Sequence, residues 1–326
     1  MKTILVTGAL GQIGSELVQR LRKEYGSNHV IATDVRHQDN EITNSGPFET
    51  LDVTDGQRMF DLVKTHKVDT LIHLAALLSS KAESHPQLAW NLNMGGLINA
   101  LEAAREHDCQ FFTPSSIAAF GPNTPRDNTP QDTIQRPTSM YGVTKVSGEL
   151  LCDYYFHKFG VDTRGVRFPG LISYVAPPGG GTTDYAVEIY YDAILKGRYT
   201  SYIASGTRMD MMYMPDALNA IITLMEADGA KLKHRNAFNI TAMSFAPEDV
   251  AASIEKHIPS FTMDFEVDPV RQAIAESWPH SLDASSAKEE WGFKADYDLD
   301  AMTIDRIEKL HGHFGMTTQS LRYGLT

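Results

Sequence analysis

The chain has 326 residues, 42% of them apolar, with 29 basic and 41 acidic side chains and a formal charge of −12. That length supports one large or two intimate domains, and the acidic balance argues against a nucleic-acid or anionic-membrane partner, because both call for a basic face. Only Cys109 and Cys152 occur, which excludes a disulfide framework and points to a reduced, cytoplasmic setting.

Met1-Lys2 lead directly into a strand, without the layout of a signal peptide, and no apolar run nears the roughly 20 residues that span a bilayer. The first half alternates β-rich runs with helical patterns, the rhythm of a doubly wound parallel sheet covered on both faces. Thr3 to Thr7 reads as strand one; Ile13, Leu17, Val18 and Leu21 then recur at helical spacing. His29 to Thr33 is strand two, ending at Asp34, and Phe48 to Val53 is strand three. A short helix carries Met59 and Leu62, and Asp69 to Leu74 is strand four. A long helix over Pro86–Glu106 turns Leu88, Leu92, Leu97, Ile98 and Leu101 inward. Gln110 to Thr113 leads strand five to Ser115-Ser116, Met140–Phe159 is a second long helix, and Thr163 to Phe168 is strand six.

After Pro169-Gly170 the texture changes. Val175 to Thr183 contains two prolines and three glycines, a loop that no regular element absorbs. The expected division is a nucleotide-binding α/β domain over residues 1–170 and a smaller α/β portion over 171–326. Segments of the latter can return to the first domain. Residues 316–326 have weak periodicity and are expected to form a disordered tail.

Gly8, Gly11 and Gly14 sit where the first strand becomes the first helix. Glycines there tolerate positive φ and let backbone N–H groups and the helix N-terminus approach phosphate. The spacing is not Gly-x-Gly-x-x-Gly, so the turn alone decides little. Asp34 carries more weight. It ends strand two, 20 residues past Gly14, where a carboxylate accepts from both adenosine-ribose hydroxyls and repels the extra phosphate of NADP. Arg36 is a counter-signal, and the balance favours NAD. Asp52 is placed to accept from the adenine amino group, or else serves its own turn.

Tyr141 and Lys145 share a helix face one turn apart. A positive charge beside a phenol favours the phenolate, so Tyr141 can take a proton from a substrate hydroxyl while Ser116 shares the oxygen. The short His and Cys spacings, at His107/Cys109 and His311/His313, do not form a metal site.

Taken in order, Thr7 to Gly14, His73-Leu74-Ala75-Ala76, Ser116, Tyr141 with Lys145 and Arg167-Phe168-Pro169 resemble the extended short-chain dehydrogenase/reductase superfamily. That resemblance implies a Rossmann-type fold, an NAD site that includes Gln12, Ile13, Leu74, Ala75 and Ala76, and catalysis by Ser116, Tyr141 and Lys145. Most members with a substrate portion of this size act on nucleotide sugars and carry Asn where this chain has Gly170. The segments APPGGGTTDYAVEIYYDA and TRMDMMYMPDALNA instead closely resemble the short-chain L-threonine 3-dehydrogenases. The implied reaction oxidises the β-hydroxyl of L-threonine to 2-amino-3-ketobutyrate, and the implied homodimer pairs through the two long helices, unless these are covered within the chain. By the same analogy Ser79, Thr182 or Thr183 hold carboxylate and ammonium, and Trp278 is a pocket wall or a packing residue. Independently of it, a Gly-Gly-Gly-Thr-Thr run offers convergent N–H and O–H donors without bulk, as a small carboxylate requires. The alternatives are a nucleotide-sugar 4-epimerase or dehydratase, which Arg208 would suit as a diphosphate contact, and a non-catalytic NAD-binding regulator.

Overall fold

The computed structural model describes residues 1–173, 175 and 181–313. The expected tail at 316–326 and most of the glycine loop, including Gly179 and Gly180, lie outside those residues.

The chain begins with β1 (Ile4–Thr7), α1 (Gln12–Tyr25), β2 (Val30–Asp34) and α2 (Glu41–Asn44). There follow β3 (Phe48–Thr50), α3 (Gly56–His66) and β4 (Thr70–His73). Next come α4 (Ser79–Ser84), α5 (Pro86–Glu106), β5 (Gln110–Phe112), β6 (Ser115–Ser116) and α6 (Met140–Phe159). The strands β7 (Thr163–Arg164), β8 (Val166–Phe168) and β9 (Gly170–Ile172) complete this part.

Six of these strands form one parallel sheet in the order β3-β2-β1-β4-β5-β7, the Rossmann arrangement, whose strand order reverses beside β1. Side chains alternate along β1. Ile4 and Val6 enter a core with Leu17, Val18 and Leu21 of α1, while Leu5 enters a second core with Met59, Leu62, Leu97 and Leu101. Burial on both faces is why the strand reads as an unbroken apolar run.

Strand six, expected as a single element over Thr163–Phe168, is divided at Gly165. A Cβ there would lie 2.6 Å from the Thr113 carbonyl oxygen, and Pro114, in the link between β5 and β6, has no N–H to extend a ladder. β7 therefore pairs with β5, and β8 pairs with β6. Strand three likewise stops at Thr50, which leaves Asp52 in the turn beyond it. In α5, Leu97 and Leu101 face inward as expected, but Leu88 and Ile98 are exposed; Ala89, Met94, Ala100 and Ala104 take the inner face.

The later chain comprises α7 (Tyr185–Lys196), β10 (Arg198–Ser201), β11 (Met209–Tyr213), α8 (Met214–Glu226) and β12 (Phe238–Asn239). It continues through β13 (Met243–Phe245), α9 (Pro247–Glu255), β14 (Thr262–Phe265), α10 (Pro269–Glu276), α11 (Ser285–Trp291) and α12 (Leu299–His313). β11 lies between β9, parallel to it, and β13, antiparallel, over a core that draws on α7, α9 and α12. β12 returns to pair with β8, and α8 and α11 pack into the core beside α1. The two portions thus share strands and core, and the cleft between them opens at the carboxyl ends of the Rossmann strands.

Candidate active site

Gly8 has φ +68°, and a Cβ on it would approach the Ala75 nitrogen to 2.9 Å; one on Gly14 would press on the Ala9 Cα at 2.8 Å. Both glycines are therefore demanded by close packing of the turn. Gly11 differs, because beyond its chain neighbours and among the described residues a Cβ there would meet the Gly8 carbonyl oxygen alone, at 3.1 Å. Its open side faces a cleft of about 440 Å³ lined by Gly8, Asp34, Asp52, Leu74, Ala75 and Ala76 among others. Asp34, 6% exposed, accepts from Leu10 N–H at 3.1 Å and from both the backbone N–H and Nε of Arg36 at 3.1 Å. Arg36 also donates to the Leu10 carbonyl oxygen at 3.2 Å. The counter-signal from Arg36 is thereby weakened, since its guanidinium is held by the carboxylate it was expected to oppose. Asp52 accepts from Thr54 N–H at 2.9 Å and Thr54 Oγ1 at 2.7 Å through a single oxygen.

β6 presents Ser115 and Ser116 to opposite sides. Ser116 hydrogen-bonds to Tyr141 and accepts from Ala118 N–H at 3.2 Å. The Ser115 hydroxyl instead donates to Glu149. The Ser139 hydroxyl accepts from Gly142 N–H at 3.1 Å and caps α6, so Tyr141 and Lys145 are fixed on its first two turns. Lys145 Nζ donates to the Pro114 carbonyl oxygen at 2.7 Å and lies 5.3 Å from the centre of the Tyr141 ring. Burial pushes the Tyr141 phenol up to about 12 against the smaller lowering effect of its Ser116 hydrogen bond. Burial also brings the Lys145 ammonium down to about 8, although Glu149 and Cys152 oppose this. With only protein around the pair, desolvation therefore favours the neutral phenol. His73, in contact with the Thr7 hydroxyl at 2.9 Å, is held neutral by burial and by Lys145, with its pKa pushed down to about 3.

A second compartment of about 520 Å³ adjoins the first and is lined by Gln12, Ile13, Ser79, Ser116, Tyr141, Lys145, Thr182, Thr183 and Trp278. Residues from six separate regions of the sequence therefore meet around one space. Trp278 is 8% exposed and is both a pocket wall and a core residue. Gly170 forms part of this wall, and a Cβ on it would meet Thr183 Cγ2 at 2.7 Å and collide with Met211 Sδ. Arg208 does not line the compartment; it pairs with Asp249 at 2.7 Å on the surface.

Sequence reasoning missed two supports of this site. Asn93 accepts from Leu77 N–H at 2.7 Å and donates to Thr144 at 3.2 Å, tying the loop after β4 to α6. Its signal was a polar residue on the inner face of an apolar helix. Glu149 is the other, recognisable as a third residue at four-residue spacing after Tyr141 and Lys145.

The sequence profile of the NAD dependent epimerase/dehydratase family matches residues 4–241. The solved structure of L-threonine dehydrogenase from Clostridium difficile is 68% identical, with a TM-score of 0.95 over 96% of this chain and 98% of that one. A monomeric L-threonine 3-dehydrogenase from a metagenome is 42% identical, with a TM-score of 0.91 over 95% and 99%. An uncharacterized epimerase/dehydratase of Staphylococcus saprophyticus is 62% identical over 96% of this chain and 98% of its own length.

Proposed function

Because the chain belongs to the NAD-dependent epimerase/dehydratase family, with NAD as its cofactor, we propose a specific reaction for it: oxidation of the β-hydroxyl of L-threonine to 2-amino-3-ketobutyrate. The observation that carries this reading is the convergence of Ser79, Ser116, Tyr141, Thr182, Thr183 and Trp278 on the compartment beside the cofactor cleft. The adenosine end of NAD fits Asp34, which has two oxygens at the edge of that cleft, and its pyrophosphate fits the open side of Gly11. When bound, NAD supplies the hydride acceptor. Tyr141 takes the proton of the substrate hydroxyl, and Ser116 holds the oxygen from which it leaves. With the phenol pushed up to about 12, its basic form needs positive charge on both sides, from Lys145 and from the nicotinamide ring.

Two features support a small zwitterionic substrate over a nucleotide sugar. Gly170 has no room for the asparagine carried by most sugar-modifying members, because Thr183 and Met211 occupy that space. Arg208, the proposed diphosphate contact, is engaged by Asp249 away from the compartment. A non-catalytic regulator would have no use for an intact Ser116, Tyr141 and Lys145.

A homodimer is part of this proposal. Leu88, Trp90 and Ile98 on α5 and Leu150 and Tyr154 on α6 are exposed, an apolar strip of the kind that marks an interface.

The test is an absorbance assay of nicotinamide reduction with purified protein, NAD and a panel of β-hydroxy amino acids. L-threonine is expected to be the preferred substrate, and absence of reduction with every member of the panel overturns the reading.

A further inference from the structure

The catalytic assignment of Tyr141, Lys145 and Ser116 leaves unexplained a buried ion pair behind them. Glu149, 6% exposed, is one turn beyond Lys145 on the same face of α6. Arg167 of β8 donates to it twice, through Nε at 3.1 Å and Nη2 at 2.9 Å. Ser115 and Gln135 donate to it as well, the latter at 2.7 Å. Glu149 and Lys145 both line a small pocket of about 30 Å³, together with His73, Asn93, Thr144 and Ser115, and Lys145 also lines the active-site compartment. Buried charge of this kind is costly unless it is paired, and a packed apolar pair commonly serves stability as well or better. Its retention beside a titrating lysine calls for a role other than stability.

We propose that Glu149 is a positioning residue for the acid–base pair, acting on Lys145 through charge and on Ser116 through Ser115. The inference rests on the assignment of Tyr141 and Lys145 as catalytic residues. The geometry provides two routes. First, the short β5–β6 segment is stapled to α6 at two successive residues, Pro114 by Lys145 and Ser115 by Glu149. Ser116 comes next in the chain, so the staple sets the side from which it meets Tyr141. Second, a carboxylate one helical turn from an ammonium in a dehydrated setting keeps it charged. The groups around Lys145 are Tyr141, Glu149 and Cys152 on its own helix, neutral His73 on β4, and Arg167 on β8, which is satisfied by Glu149. Glu149 is the anion among them, and it raises the pKa of Lys145 against the desolvation that lowers it. A lysine that lost its proton near neutral pH would no longer favour phenolate at Tyr141.

The experiment measures the titration of Lys145 in cofactor-free protein, from the pH dependence of competitive acetylation at its peptide read by mass spectrometry. Glu149→Gln removes the charge and keeps the shape; Glu149→Gln with Arg167→Gln removes the pair together, so that a guanidinium is not stranded. Both are expected to lower the Lys145 midpoint by about one pH unit, and to move the alkaline limb of turnover the same way. Ser115→Ala keeps the charge but breaks the staple, and is expected to reduce kcat without shifting the midpoint. A Lys145 midpoint equal to wild type in both Glu149 variants overturns the charge route. A Ser115→Ala enzyme with wild-type kcat overturns the staple. Because the labelling needs neither cofactor nor substrate, its failure is distinct from failure of the proposed reaction.

Discussion

Asp34 meets two demands with one carboxylate. It holds Arg36 and the turn at Leu10, and it stands where the adenosine ribose is proposed to bind. Replacing Asp34 with Ser removes both and releases a cation beside the ribose. The expected outcome is a loss of NAD affinity of about tenfold or more, given what hydrogen bonds to charged groups contribute, with a narrower preference over NADP. Equal affinities of the variant and wild type for NAD, by calorimetry, would remove Asp34 from the site. Tyr141→Phe is expected to bind NAD normally and to lose about 10²–10⁴-fold in turnover; near-normal turnover would dismiss Tyr141 as the base. Asp210 offers a residue-scale test of stability. It is fully buried on β11, accepting from Leu282 N–H at 2.8 Å and Thr241 Oγ1 at 2.5 Å, and burial pushes its pKa up to about 7 against the lowering effect of those bonds. A carboxyl whose folded pKa is raised stabilises the protein most when protonated in both states. That stability declines as pH rises from the unfolded value toward about 7. Asp210→Asn mimics the protonated form and is expected to flatten the pH dependence of denaturant unfolding across this window. An unchanged slope would mean that Asp210 titrates normally.

At the scale of elements, the sequence revealed β1, β2 and the helices at Pro86–Glu106 and Met140–Phe159 because each has a long, regular pattern and a local terminator. Strand six misled because Val166 and Phe168 carry the β-like texture past Gly165 with no proline or turn cluster to end it. What divides it is the Thr113 carbonyl oxygen in the link after β5, a contact invisible to any local pattern. Leu88 and Ile98 misled for a related reason. Periodicity says which residues share a face but not what covers that face, and alanines and Met94 took the inner positions of α5. The site residues were legible where chemistry is local, as with Tyr141 and Lys145 on one helix face. Glu149, on α6, was missed because its partner, Arg167, comes from a different element, β8. The glycine turn gives this scale its own prediction. Gly14→Ala places a methyl against the Ala9 backbone and should cost about 1–3 kcal/mol of stability in a denaturant titration, with weakened NAD binding. Wild-type values for both would show that the turn relaxes freely.

For the whole molecule, shared strands make the two portions interdependent. β12 and α8 lie beyond residue 170, yet β12 pairs with β8 and α8 packs into the core beneath the Rossmann sheet, so a fragment ending near Gly170 would expose apolar surface. The strip on α5 and α6 is a second surface of the same kind. Ile98→Glu combined with Leu150→Glu is expected to convert a dimer to monomers in sedimentation velocity, and a monomeric wild-type protein would assign the strip to another contact. The central claim is net oxidation of a small amino acid, and it is tested most directly by stoichiometry. With limiting L-threonine and excess NAD, and the amino-ketone trapped as it forms, the account predicts one NADH accumulated per threonine consumed, and none with UDP-glucose or UDP-galactose. Interconversion of a UDP-hexose without NADH accumulation, and with threonine unchanged, would contradict it.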